Sequence, residues 1–227
     1  MLKFDRKRTL FYRMVLFCAV VVFESPVFLF AAPPLAVEDI IERVEKRYSV
    51  SGFSARFLQT ATIKAMAIAE TASGRLFAKR PGMMRWEYEM PERQLVITDG
   101  EKLWIYRPDD YQVMVGKAPS FFGKGKGAGF LSDIKGMREN FEITLDSASK
   151  DPNYVLKLVP KEKTYDIAKI FLSISPDTFD VVQVITYNPY DDETRIELNG
   201  YQHKQNLADS LFRFEIPKDV DIVKLDQ

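Results

Sequence analysis

Few residues of this 227-residue chain combine in a way that could carry out chemistry. The run Gly123-Lys124-Gly125-Lys126-Gly127-Ala128-Gly129 has the small residues and cations of a phosphate cradle. Such a cradle also needs a Lys-Ser/Thr pair opening a helix, and Phe130-Leu131 stand in that place. The run therefore reads as a hinge. His203 is the only histidine and reads as a surface strand residue; with Cys18 as the only cysteine, nothing completes a zinc site. Asp109-Asp110 and Asp191-Asp192-Glu193 group carboxylates as a glycosidase does. Both sit at turn signals, where aspartate bonds its own backbone. No nucleophile, base and stabiliser assemble, so no catalytic residue, metal or cofactor is expected.

Arg80 is the unusual cation. It follows an alternating strand and precedes Pro81, which disfavours the helical region for it. On the rim of a fold it would mean little. Pointing inward, its guanidinium must find acceptors, because an unpaired buried cation is costly. Trp86 and Trp104 stand on what read as neighbouring strands.

The elements that must position these residues are mostly strands. One amphipathic helix comes first, with Val37, Ile41, Val44 and Tyr48 at helical spacing, Ile40 beside them, and Gly52 as its end. The period then changes to two. Phe53, Ala55 and Phe57 alternate with Ser54, Arg56 and Leu58; Tyr154, Leu156 and Leu158 face away from Val155, Lys157 and Val159; Ile196 and Leu198 alternate with their neighbours. Further strand-like runs are 74–79, 84–89, 95–98, 103–107, 112–115, 141–145, 170–174, 181–187 and 212–216. Asp99-Gly100 is the strongest hairpin signal among the turns between them. About a dozen short antiparallel strands predict a sandwich, a barrel or a curved open sheet. Residues 117–140 break the rhythm. Phe130, Ile134 and Met137 recur at helical spacing with Leu131 adjacent, which reads as a short lid helix after the glycine hinge. The 17 phenylalanines, 10 tyrosines and 2 tryptophans are enough for either a packed interior or a lidded apolar cavity, and the pattern does not separate the two.

Residues 1–31 read as a cleaved export signal. Lys3, Arg6, Lys7, Arg8 and Arg13 precede the apolar runs 15–23 and 27–30, and cleavage is expected after Ala31. Residues 32–227 then form a single domain. The whole chain has 32 basic and 32 acidic residues; the leader holds five basic and two acidic, leaving 27 against 30. That balance excludes general attraction to nucleic acid. Leu16-Phe17 before Cys18 does not make a lipobox, and the mature chain has no thiol.

Taken in order, several pieces resemble the LolA family of lipoprotein carriers. They are residues 53–60 (Phe-Ser-Ala-Arg-Phe-Leu-Gln-Thr), 74–81 ending in Lys79-Arg80-Pro81, Trp86, Asp99-Gly100 with Trp104 and Tyr106, Thr194-Arg195-Ile196-Glu197, Phe212-Arg213-Phe214 and Pro217. The resemblance covers essentially the whole mature chain. It implies a mainly β, α+β fold: an incomplete antiparallel barrel enclosing an apolar cavity, closed by the N-terminal helix and the lid helix. It implies a monomeric periplasmic shuttle for triacylated lipoproteins, taken from an inner-membrane ABC release complex (LolCDE-like) and passed to an outer-membrane acceptor (LolB-like). It casts Arg80 as a latch to the lid. It casts Trp86, Met84, Phe57, Phe130, Leu131, Ile134 and Met137 as cavity and lid residues. Met84 stands where the resemblance puts an aromatic that contacts the release complex, and Pro217-Lys218-Asp219-Val220 replaces a glycine-bearing stretch. An acceptor or an envelope-stress regulator of the same fold, or a secreted hydrolase, are the rival expectations.

Overall fold

The computed structural model describes residues 35–49, 52–118, 131, 135–203 and 205–225. Helix α1 (Val37–Tyr48) is followed by β1 (Gly52–Ile63), β2 (Ile68–Lys79), β3 (Met83–Met90), β4 (Gln94–Thr98), β5 (Lys102–Arg107) and β6 (Gln112–Lys117). Helix α2 (Lys135–Asn140) leads into β7 (Phe141–Leu145), β8 (Tyr154–Pro160), β9 (Lys169–Ile174), β10 (Val181–Tyr187) and β11 (Glu193–His203); β12 (Asp221–Lys224) comes last. All twelve strands lie in one sheet, in the order β12-β6-β5-β4-β3-β2-β1-β11-β10-β9-β8-β7. Neighbours are antiparallel except β12, which runs parallel to β6. The edge strands β12 and β7 do not pair with each other, so the barrel is incomplete. Among the described residues no helix is long and apolar enough to cross a membrane.

Alternation makes the interior. Phe53, Ala55 and Phe57 of β1, Leu76 and Ala78 of β2, and Leu156 and Leu158 of β8 are buried, while Arg56 and Leu58 face out. Inward residues from β5 (Leu103, Ile105) and from β8 and β9 belong to one apolar cluster. These strands are far apart in the sheet order, so only a curved sheet brings their inner faces together. Ile40, Ile41, Val44 and Tyr48 of α1 complete this cluster. The helix carries Glu38 and Asp39 in its first turn and Lys46 and Arg47 in its last, the arrangement its dipole favours.

Three expectations are corrected. The helix ends at Ser49, whose N–H donates to the Lys46 carbonyl, and Gly52 instead opens β1. The run 212–216 is not a strand. Asp209–Phe212 forms a 3₁₀ turn with Phe212 fully buried, and the chain pairs again only at β12. Pro217, which has no N–H, follows that run. Strand β2 starts at Ile68, well before the expected Gly74.

Gly74 is required by close approach rather than by its φ angle. It sits beside the β2–β3 register shift, and a Cβ placed there would lie 1.9 Å from the Glu87 carbonyl oxygen and 3.0 Å from the Phe57 ring. Gly74→Ala is expected to lower stability by about 3 kcal/mol, at the upper end of overpacking costs. Urea unfolding checks this, and a loss below about 0.5 kcal/mol would contradict the close approach.

Candidate functional site

The concave face of the sheet gathers the residues expected to line a cavity. Phe57 lies on β1, and Met84 and Trp86 are inward residues of β3. Leu131 and Met137, the latter on α2, are buried in the same cluster. Phe130 and Ile134 lie outside the described residues. The register explains the grouping: Trp86 stands opposite Leu76 on one side and Val96 on the other, and Met84 opposite Ala78 and Thr98. The Phe57 ring meets Trp86 and Tyr88 edge-on, with centroids 4.9 Å away in both cases. Helix α2 is tied to α1 by Arg138 Nε donating to Glu45 Oε1 at 3.1 Å.

Two polar groups interrupt this apolar surface. Tyr88 donates to Gln59 Oε1 at 3.1 Å, and burial pushes its phenol up to about 12. Trp86 Nε1 is buried and has no acceptor among the described residues. A buried donor without an acceptor leaves a desolvation cost of about 1–3 kcal/mol unrelieved. The grouping is an apolar one, with the indole N–H unpartnered among the described residues.

Arg80 follows β2 directly and continues the parity of the inward residues Leu76 and Ala78. Its Nη2 is shielded from solvent, and the residue is engaged in interactions. The Arg80–Pro81 bond is cis. The turn after it packs on the β4–β5 turn, where Gly82 (φ +66°) and Gly100 (φ +98°) meet. Asp99-Gly100 is the expected hairpin, with Asp99 Oδ1 accepting from the N–H groups of Glu101 and Lys102.

Trp104 separates from Trp86. It faces the opposite side of the sheet, in a second cluster with Ile97 and Val113. Phe214 and Val220 of the C-terminal segment cover that cluster, and Phe214 lies 5.3 Å from Tyr106. Asp109, Asp110, Asp191 and Asp192 lie in turns, as expected, whereas Glu193 opens β11. Asp191 and Asp192 hold Lys64 (2.8 and 2.9 Å), and Asp109 pairs with Arg93.

His203 is not a surface residue, which corrects the expectation. Its side chain is buried, with Nε2 2.7 Å from Asp180 Oδ1 and Nδ1 lacking any partner among the described residues. Arg47 holds the same carboxylate with two bonds, Nε to Oδ1 at 2.8 Å and Nη2 to Oδ2 at 3.0 Å. Beside it, Tyr48 donates to Tyr201, Tyr201 donates to the Val181 carbonyl, and the Val181 N–H donates to Tyr48. The cause is a bulge. Arg56 pairs with Asn199 but Ser54 pairs with Gln202, so β11 carries an extra residue at Gly200 (φ +63°). The bulge reverses the parity of Tyr201 and His203 and turns them toward Phe53 and Tyr48. The sequence signal was Asn199-Gly200 inside a strand pattern.

Within this knot His203 and Asp180 are both shifted downward. Burial lowers the His203 pKa against the opposing pull of Asp180, because a proton on Nδ1 would find no acceptor. Burial raises the pKa of Asp180, but bonds from Arg47 and Thr178 and the nearby cations outweigh it, leaving a net lowering. Both folded-state values lie below the unfolded ones, so the unfolded chain binds more protons. The stabilisation is full above the ordinary histidine value of 6.5 and is lost as pH falls through the folded values, His203 first and Asp180 in the acid range. Thermal unfolding between pH 8 and 5 should show a falling Tm, with a slope of at most about 1.4 kcal/mol per pH unit from His203. His203→Gln should flatten the curve, and an unchanged slope in that variant would exclude His203 as its source.

Comparison with known proteins agrees with this architecture. Residues 48–215 match the family model for the outer membrane lipoprotein carrier protein LolA. An outer-membrane lipoprotein carrier protein of Nitrosospira multiformis is 30% identical over 169 residues, 74% of this chain and 80% of the relative. One of Azotobacter vinelandii is 27% identical over 194 residues, covering 85% and 92%. In structure, an uncharacterized conserved protein from Thermus thermophilus matches with a TM-score of 0.53 at 17% identity over 82% of this chain and 98% of its own, a likeness of fold alone. The match over most of the chain, together with an unclosed sheet whose apolar inner face lies under α1, places this protein in the LolA family of outer membrane lipoprotein carriers.

Proposed function

We propose that this chain is a periplasmic carrier that shields the acyl chains of lipoproteins released from the inner membrane and hands them to an outer-membrane acceptor. The observation that carries the reading is the single apolar cluster on the concave face, to which Phe57, Met84, Trp86, Leu131 and Met137 all belong. Exposure of an acyl chain costs about 0.8 kcal/mol per CH₂, so a chain of roughly sixteen carbons costs more than about 10 kcal/mol in water. A carrier must hide that surface and must also release it. Residues 1–31 act as the export signal, an inner-membrane ABC release complex supplies the cargo, and Arg80 latches the segment that covers the cavity. Cargo entry breaks the latch, so the bonds that close the empty state compete with cargo and favour its release.

The test is recovery of the protein from the soluble fraction of its producing cell, followed by mass spectrometry of extracted lipid and lipoprotein. Triacylated lipoprotein in the extract supports the reading, and protein free of any acylated cargo under conditions of arrested acceptor transfer contradicts it. Arg80→Leu is expected to slow handover severalfold. Equal release rates for variant and wild type would remove Arg80 from the mechanism.

A further inference from the structure

Among the described residues, the five large apolar side chains that are at least 61% exposed are not scattered over this fold, while Leu58, Val159 and, in the C-terminal segment, Ile216, Ile222, Val223 and Leu225 are exposed to a lesser degree. Because each strand runs opposite to its neighbour, the hairpins divide into two sets at opposite ends of the sheet. At one end lie the β5–β6, β3–β4, β1–β2, β10–β11 and β8–β9 turns, in that order along the rim. Each presents a large residue to solvent: Tyr111, Met90, Met66, Tyr190 and Tyr165, all between 61% and 95% exposed. Ile63 and Ile68 flank Met66 and are exposed as well. At the other end lie the β2–β3, β4–β5, β7–β8 and β9–β10 turns, and none of the exposed large apolar residues falls in them. Phe179, in the β9–β10 turn, packs back against the core. Single exposed apolar residues need no explanation, but the placement of the five most exposed ones, one at every hairpin of one end, does.

We propose that this rim is a membrane-contact surface, whose tips enter the interfacial layer of a zwitterionic phospholipid bilayer. Three features favour lipid over a protein partner. Strands lie about 4.8 Å apart, so successive hairpin tips are separated by roughly 10 Å. The rim is thus a row of separate convex points rather than the continuous patch of about 800 Å² that each partner of a stable protein pair contributes. A bilayer interface accommodates such points without needing a matching shape. The residue types also fit, since tyrosine is enriched at headgroup depth while methionine and isoleucine reach the acyl boundary. Finally, the charges at the tips form no basic patch: Lys64 pairs with Asp191, Arg93 with Asp109 and Arg107 with Asp110, while Glu92 and Asp192 add further carboxylates. The rim therefore has no preference for anionic lipid. This contact does not depend on the cavity or on cargo.

Vesicle flotation of the protein taken from the soluble fraction tests the proposal. With phosphatidylcholine–phosphatidylethanolamine vesicles free of lipoprotein, wild type should float in part, and 0.5 M salt should not reduce the fraction. The triple variant Met66→Ser, Met90→Ser, Tyr190→Ser should float at least fivefold less, while Glu101→Ser at the opposite end should match wild type. Met66→Ser alone, on an exposed turn, should lower the fraction about twofold and stands in if the triple variant is unstable. Equal flotation of wild type and the rim variants would overturn the proposal. So would binding that requires anionic lipid and vanishes in salt, or binding only to vesicles that contain membrane protein.

Discussion

Asp180→Ala is expected to lower the unfolding free energy by about 3 kcal/mol, the lower end of the 3–5 kcal/mol typical of breaking a buried ion pair. Asp180 is only 6% exposed, and its two oxygens serve Arg47 and His203 together. Removing them leaves the Arg47 guanidinium without its carboxylate and deprives His203 Nε2 of its acceptor. The Arg47 side chain keeps 36% of its exposure, so water recovers part of the loss, which is why the lower end applies. Asp180→Asn keeps one acceptor and should cost about half as much. In an Arg47→Met background Asp180→Ala should cost clearly less than in wild type, because the stranded charge is already gone. Urea unfolding of the four proteins in this cycle provides the measurement. Strict additivity would mean that the 2.8 Å and 3.0 Å bonds contribute nothing as a pair. The consequence for function is specific: this knot fastens the C-terminal end of α1 to β10 and β11, and α1 covers the concave face.

Trp86→Ala should cost about 3–5 kcal/mol, the usual range for removing a large buried aromatic ring. The indole packs edge-on against Phe57 and stands between Leu76 and Val96, so its loss opens space in the middle of the concave face. Trp86→Phe separates the ring from its donor. It keeps most of the apolar contact and removes an N–H that has no acceptor among the described residues. The empty protein should then change by less than about 1 kcal/mol, with relief of the unpartnered donor offsetting the smaller ring. Under the carrier reading, the ester carbonyl of an acylated cargo is the missing acceptor. Trp86→Phe should therefore weaken binding of an ester-linked acyl ligand severalfold and leave binding of a plain alkane unchanged. Equal weakening of both would show that only ring shape matters at this position.

Local pattern was enough to read most of the strands and the helix. Inward residues such as Phe53, Ala55 and Phe57 are spaced by the two-residue repeat of a strand, and Ile41, Val44 and Tyr48 by the turn of a helix; both repeats are written in the chain itself. Asp99-Gly100 worked for the same reason, since a short turn contains its own chemistry. The segment 212–216 misled because Phe212 and Phe214 alternate like a strand. Phe212 is buried in a 3₁₀ turn and Phe214 packs on the outer cluster, and neither needs a paired neighbour to be apolar.

By itself, then, the order of residues determined the strand-rich architecture, the inward identities of Phe57, Met84 and Trp86, and the family resemblance. Tertiary structure alone decided what depends on registration between distant segments. The Gly200 bulge turned His203 and Tyr201 inward to meet Arg47 and Asp180, residues far away in the chain. The C-terminal segment buried Trp104 on the outer face, away from Trp86. The alternating direction of the strands collected Met66, Met90, Tyr111, Tyr165 and Tyr190 on one rim. The physical reason is common to all three. Periodicity reports which face a side chain occupies within its own element, whereas partnership is set by pairing register and curvature, which are properties of the closed packing.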